Sequence, residues 1–459
     1  MEKNSNIEMI TGDPKKAINK LALPLITSMF LIFLNNIIDS IWVAGLGADP
    51  LAAIGYVTPL FMVLVGFGNG IGAGANSLIS RYIGAEKRNG ANNAAIHSAI
   101  LSIIISIALT IIFLIILEPL LKIMGASTVL SYAMDYGIIV FALTFAILMP
   151  PIFGGAFRAE GDIKRSTIPI ALAAIINMIL DPIFIYGFNW GVQGAALATG
   201  LGPFISLLIM FYWIFIKKDT YLSYNIKDFH NDLSMYKDIL VVGIPASLEQ
   251  LIMAALAVVV NYMLTLVSGS VAVAVYTAGW RIISLGLLPA IGVGTAAITV
   301  AGVAYGSKKY ENIRIATRYS VKLGLISSII VCILLYFFAN QVAYIFSYSE
   351  ASAQLEPLIA SFIQLMCLFI LYVPFGASAG NVFQGLGKGT TSFILTTFRE
   401  FVLVLIFAYI FGFVLNMGEY GIYYGMLLGG LIGSVLAYGY IEFYVDRLIK
   451  GKIKLKEIG

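Results

Sequence analysis

Charge is what this sequence has least of. Asp, Glu, Lys and Arg together make up 11% of its residues, less than half of the roughly 25% usual for a soluble domain. Cysteine and histidine are scarcer still, at two each. Cys332 and Cys367 are too few for a disulfide framework, and both lie in apolar segments, so they read as packing residues. His97 and His230 are too few and too far apart for a metal or nucleophile site, and no HExxH motif occurs. An enzyme is not expected, no cofactor is implied, and His97, at the start of an apolar segment, reads as interfacial. A net charge of +4 is small, and no nucleic-acid partner is expected. No short apolar segment with a small-residue cleavage site precedes the first long one, so no cleavable signal peptide is expected.

What is abundant is apolar surface. The chain is 60% hydrophobic with a mean hydropathy of +0.93. A membrane-spanning helix needs about 20 apolar residues, and twelve such stretches can be read: 17–43, 51–80, 92–117, 129–156, 167–187, 192–216, 235–268, 271–304, 314–341, 353–383, 391–413 and 420–446. They must be helices, because lipid cannot satisfy a bare backbone. A β-barrel would instead show alternating segments of about ten residues. The expected fold is an all-α membrane protein of twelve transmembrane helices.

Lys and Arg mark cytoplasmic loops. With the N-terminus inside, 25 of the 28 fall on one side, including Arg81, Lys87, Arg158, Lys217, Lys227, Lys308, Arg447, Lys454 and Lys456. Only Lys122 falls opposite, while Arg281 and Arg399 lie within spans. The chain is therefore expected in the cell membrane, multi-pass, with both termini cytoplasmic.

The longest polar connection divides the spans six and six. The expected parts are a tail (1–16), a first bundle (17–216), a linker (217–234), a second bundle (235–446) and a basic tail (447–459). The halves repeat. "LALP" from Leu21 matches "VGIP" from Val242, offset 221; "LAAIGY" ending at Tyr56 matches "VAVAVY" ending at Tyr276, offset 220. "GAEKRNGANNA" from Gly84 matches "GSKKYENIRIA" from Gly306, offset 222, and "FRAEG" from Phe157 matches "FQGLG" from Phe383, offset 226. Six helices per repeat give both halves one orientation, related by a pseudo-twofold axis along the membrane normal. The run "GFGNGIGAGANS" (Gly66 to Ser77) reads as close helix packing. It has no preceding strand and no Lys, so it is not a phosphate loop.

A charge inside the bilayer costs about 2.5–3.5 kcal/mol on insertion scales, so each one needs a reason. The second half holds Glu249, Arg281, Arg399 and Glu400, which sum to zero. Glu249 and Arg281 both lie near mid-depth and are expected to form a register-fixing ion pair, with a substrate contact as the other role for Glu249. Arg399 and Glu400 are adjacent and are not expected to face each other. The first half holds two uncompensated acids, Asp39 and Asp181, at similar depth. Asn35 and Asn36 lie one turn before Asp39 and are candidate auxiliary contacts. Asn177 lies one turn before Asp181, and Thr199 is at matching depth on the next span. Pro182 frees a carbonyl near Met178. Carboxylates, amide and hydroxyl oxygens and a free carbonyl, with no cation, suit Na⁺ or a proton. The repeat-related positions, near Val260 and Phe407 to Phe411, are apolar, so the acidic site is one-sided.

The ordered set "LALP" with Asp39 fifteen residues on, "RYIGAEKR", "FRAEGD", "NMILDP" and "GVQGAALAT" resembles the multidrug and toxic compound extrusion (MATE) family over essentially the whole chain. The resemblance implies a secondary antiporter with a central cleft between two bundles, exporting cationic drugs against Na⁺ or H⁺ by alternating access. It implies coupling by Asp39, Asn177, Asp181 and Thr199, and bending of the first span near Pro24. The paired aspartates lean towards a DinF-like branch. One departure is that Met253 stands where some branches carry a glutamate two turns after the span-7 proline, and Glu249 sits one turn after Pro245. Small-molecule cationic drugs and the bilayer are the expected partners, and a monomer the expected state. A lipid-linked oligosaccharide or lipid flippase of related architecture is the alternative, though it calls for a basic cavity that the first half lacks. A channel fits poorly with a twofold repeat around one cleft.

Overall fold

The computed structural model describes residues 2–225, 229–346 and 353–453. Lys227, Lys454 and Lys456, counted above for orientation, lie outside them. Among the described residues there is no strand. Helix α1 (Glu2–Thr11) precedes the first long helix, α2 (Pro14–Ala44). Then come α3 (Ala48–Gly84), α4 (Arg88–Ile123), the bent pair α5 (Leu130–Ala142) and α6 (Thr144–Ala159), α7 (Ile163–Pro182) and α8 (Gly191–Phe211). The second half comprises α9 (Leu233–Gly306), α10 (Tyr310–Phe337), α11 (Ala339–Phe346), α12 (Glu356–Gly385), α13 (Gly389–Thr396), α14 (Val404–Tyr409) and α15 (Gly418–Ile449). π-helical turns extend α7 (Ile183–Gly187) and α8 (Tyr212–Lys217), and join α13 to α14 (Thr397–Leu403).

Among the described residues ten helices, or eleven with the bent pair, are long and apolar enough to span a membrane. One of them, α9, has 74 residues. At about 1.5 Å per residue it would exceed the bilayer more than threefold if straight. It breaks at Gly269, where φ +72° and ψ −162° lie outside the helical region. Its start packs against Gly66 to Gly74 of α3 and its last turns against the adjoining Asn76 to Gly84, so it folds back as two spans and the total among the described residues is twelve.

The repeat seen in sequence is written into the backbone. Left-handed residues recur in pairs: Gly47 with Gly269, Glu86 with Lys308, Gly161 with Gly387, Asn189 with Asn416 and Gly191 with Gly418. Each pair is 222 to 227 residues apart, so the two six-helix halves turn their corners with the same geometry.

The two halves meet along α3 and α9, nearest the face that carries both chain ends, here called the tail face. On α3 only Ala53, Val57, Leu60 and Leu64 are buried before Gly66, a single helical stripe; beyond it nearly every residue is buried. Likewise α9 buries one stripe from Ala272 to Gly286 and every residue from Ala296 to Gly306. The molecule is sealed towards the tail face and splayed towards the far face. Glycine makes the seal. A methyl group on Gly74 would collide with the Ile239 carbonyl, one on Gly84 with that of Val303, and one on Gly306 with that of Arg81. Polar bonds cross the same interface. The Ser77 hydroxyl donates to the Gln384 carbonyl, Thr299 Oγ1 donates to Asn76 Oδ1 at 3.0 Å, and Asn19 Nδ2 donates to the Tyr319 hydroxyl at 2.8 Å. The glycine-rich run does the close packing expected of it.

Candidate functional site

In the first half, α2 and α7 pack side by side and bring Asp39 and Asp181 together. Their carboxyl groups lie within hydrogen-bonding reach of each other. Asp181 is fully buried and Asn177 nearly so, and Asn177 Nδ2 donates to Asp181 Oδ1 at 3.4 Å. Thr199 on α8 donates to the Ala195 carbonyl at 3.0 Å and meets the Tyr136 hydroxyl at 3.4 Å. Tyr136, on α5, stands within electrostatic reach of both aspartates. Neither aspartate forms an ion pair with any described residue.

Unpartnered polar atoms mark the site. Asp39 Oδ1, Asp181 Oδ2, Asn35 Oδ1 and Trp42 Nε1 are all buried without a hydrogen-bond partner. Buried polar groups are rarely left so. Asn35, Asp39 and Trp42 recur at helical spacing on one stripe of α2. Asn36 lies off this stripe and is exposed, so it does not join the pair. The oxygens of Asp39, Asp181 and Asn35 suit Na⁺ or a proton. Pro24 sits inside α2, which runs through it as one helix.

Tyr136 stands beside the acids and Trp42 one turn from Asp39, although no motif marks either; the packing of α5 and the register of α2 place them here. Of the two residues expected beside the acids, Asn177 bonds Asp181 directly, while Thr199 is linked to them only through Tyr136.

The second half departs from expectation twice. Glu249 does not pair with Arg281. Ser392 Oγ donates to Glu249 Oε1 at 2.7 Å and Gln384 Nε2 to Oε2 at 3.3 Å, while Arg281 is exposed. Similar depth was not enough, because the face of α9 that carries Glu249 turns towards α12 and α13. Arg399 and Glu400, although adjacent, do form an ion pair, at 2.9 Å, with both side chains buried. The separation of neighbours on a helix surface does not bind long side chains in a π-helical turn, and Arg399 folds back over Gly376 and Gly433, where any side chain would collide with it.

Near the tail face, Glu160 in "FRAEGD" is buried, and its Oε2 accepts from Leu222 N at 2.9 Å. Burial pushes this carboxyl up to about 8 from 4.5; the Leu222 N–H opposes the shift, Asp162 adds to it, and Arg165 and the Tyr221 N–H oppose it. A folded value above the unfolded one means stability is fully present below about pH 4.5 and is lost as pH rises through about 8. Glu160→Gln should therefore flatten the fall of melting temperature across that range. An unchanged profile in the variant would refute this.

The MatE family profile matches residues 24–183 and 245–410, one segment in each half. The chain is 26% identical over 451 residues to the multidrug export protein MepA of Staphylococcus haemolyticus (strain JCSC1435), covering 96% of each. It is 26% identical over 332 residues to an FAD transporter of Shewanella oneidensis, covering 71% of this chain and 73% of that one. It superposes with a TM-score of 0.94 at 37% identity, covering 97% of this chain and 99% of the other, on a solved outward-facing conformation of a multidrug resistance MATE family transporter of the MOP superfamily. Twelve spans, a twofold repeat in sequence and backbone, and a family match in each half lead to one conclusion: the chain belongs to the MATE family of membrane transporters.

Proposed function

We propose that the protein is a secondary efflux antiporter that exports cationic, lipophilic compounds in exchange for Na⁺ or H⁺. The observation that carries this is the pair Asp39 and Asp181, side by side, largely buried, with unpartnered oxygens and no cation beside them. Two carboxylates in low dielectric repel, so a proton or Na⁺ between them is favoured. Its occupancy biases one conformation only if the two states bind it differently. The positive-inside pattern supports the tail face as cytoplasmic. On that assignment the sealed and splayed halves correspond to an outward-open state, as in the outward-facing relative. Entry of the coupling ion from outside then shifts the α2 and α7 contacts, with Pro24 as a weak point in α2, and displaces the drug. The multidrug export relatives support drugs as substrates.

The test is drug efflux in everted vesicles with Na⁺ and pH gradients imposed separately. Efflux that follows neither gradient would overturn coupling. Asn177→Ala and Thr199→Ala refine the answer. If Na⁺ is coordinated, each should move the Na⁺ dependence to higher concentration. If protons alone couple, both should keep their pH dependence and ignore Na⁺. No effect on either would remove these two residues from the site.

A further inference from the structure

Four polar residues in the first three turns of α4, Arg88, Asn92, Asn93 and His97, hold the chain that links the two halves. Arg88 Nη2 donates to the Tyr221 carbonyl at 2.9 Å, with its guanidinium 4.6 Å from the centre of the Tyr221 ring. Asn92 Oδ1 accepts from Ser223 N at 2.9 Å. Asn93 grips both backbone groups of His230: Oδ1 accepts from the N–H at 3.2 Å and Nδ2 donates to the carbonyl at 2.9 Å. His97, fully buried between Phe229 and Tyr236, accepts from Asp232 N through Nε2 at 3.0 Å. Its Nδ1 therefore carries the proton and donates to the Asn93 carbonyl at 2.8 Å.

Asp232 is also the N-cap of α9, its side chain accepting from Ser234 N at 2.8 Å. The start of α4 thus joins the first half to the first turn of the second. A few turns on, the same helix presents Ile239, Gly243 and Ser247 to Gly70 and Gly74 of α3, the wall of the seal. We infer that Asn93 and His97 are positioning residues: they latch the start of α9 to α4, and this latch must be released before the sealed face can open. The inference rests on alternating access as proposed above. Nothing in the acidic site requires it, since the two lie at opposite ends of the first half.

The latch is tested on the purified full-length protein in nanodiscs. In a Cys332→Ser, Cys367→Ser background, Ala75→Cys serves as reporter inside the seal and Ala133→Cys as reporter in the core of the far half, both positions being fully buried. Labelling by a charged maleimide is followed. Asn93→Ala, which loses two hydrogen bonds, should speed labelling at position 75 by on the order of tenfold, and His97→Phe, which keeps the ring contacts but loses the acceptor, by about fivefold. Asn93→Asp, which sets a second acceptor against the His230 carbonyl, should match or exceed Asn93→Ala. Position 133 should not change. Unchanged labelling at position 75 in a cooperatively melting variant would overturn the latch, and so would equal acceleration at both reporters, which marks general loosening. If Asn93→Ala does not fold, His97→Phe decides. Ion-dependent efflux with unchanged labelling refutes the latch alone; faster labelling in a protein whose efflux follows no ion gradient refutes the antiport reading alone.

Discussion

Asp39→Asn should abolish drug export while leaving the protein folded and in the membrane. The substitution keeps the shape of the side chain and removes the charge that a proton or Na⁺ would meet. It also relieves the repulsion with Asp181, so the folded state should be no weaker, and the loss should appear as lost transport at normal expression. Asp181→Asn should behave in the same way, because either change leaves a single carboxylate with no ion-exchange partner. The measurement is export of a fluorescent cationic drug by cells expressing each variant, beside the membrane level of the protein and its melting temperature. Full export by Asp39→Asn would remove it from coupling.

The second large effect is on stability. Arg399 and Glu400 form an ion pair 2.9 Å long with both side chains buried, and Arg399 Nη1 and Glu400 Oε2 have no other partner. Removing one member leaves a buried charge unpaired, which typically costs about 3–5 kcal/mol. Arg399→Met should therefore lower the melting temperature or expression strongly, and so should Glu400→Gln. The double variant should recover the part of the loss that comes from the pair, leaving only what Glu249 loses with Arg399. Arg399 also stands near Glu249, so Arg399→Met should cost more than Glu400→Gln. If the double variant is as unstable as the worse single one, the two residues do not act as a pair.

Much of this protein is legible in its amino-acid sequence. The periodic scarcity of charge required twelve apolar helices, because each stretch is about one bilayer long and lipid leaves the backbone no other partner. The repeat of "GAEKR" and "FRAEG" with a nearly constant offset determined two parallel halves, and the paired left-handed residues follow from it. The matching heights of Asp39 and Asp181 also followed from the sequence, since helix length converts sequence position into height in the membrane. Sequence could not say which way a helix faces. Glu249 and Arg281 share a depth but not a direction, and only the packing of α9 against α12 and α13 handed Glu249 to Ser392 and Gln384. The pairing of Arg399 with Glu400 depended on a π-helical turn and on two distant glycines that make room for the guanidinium. Tyr136 and Trp42 joined the acidic site through helix packing and helix register, neither of which leaves a motif. Depth is one-dimensional and local, so sequence determined it; azimuth is settled by contacts between segments far apart in the chain, so only the tertiary structure decided it.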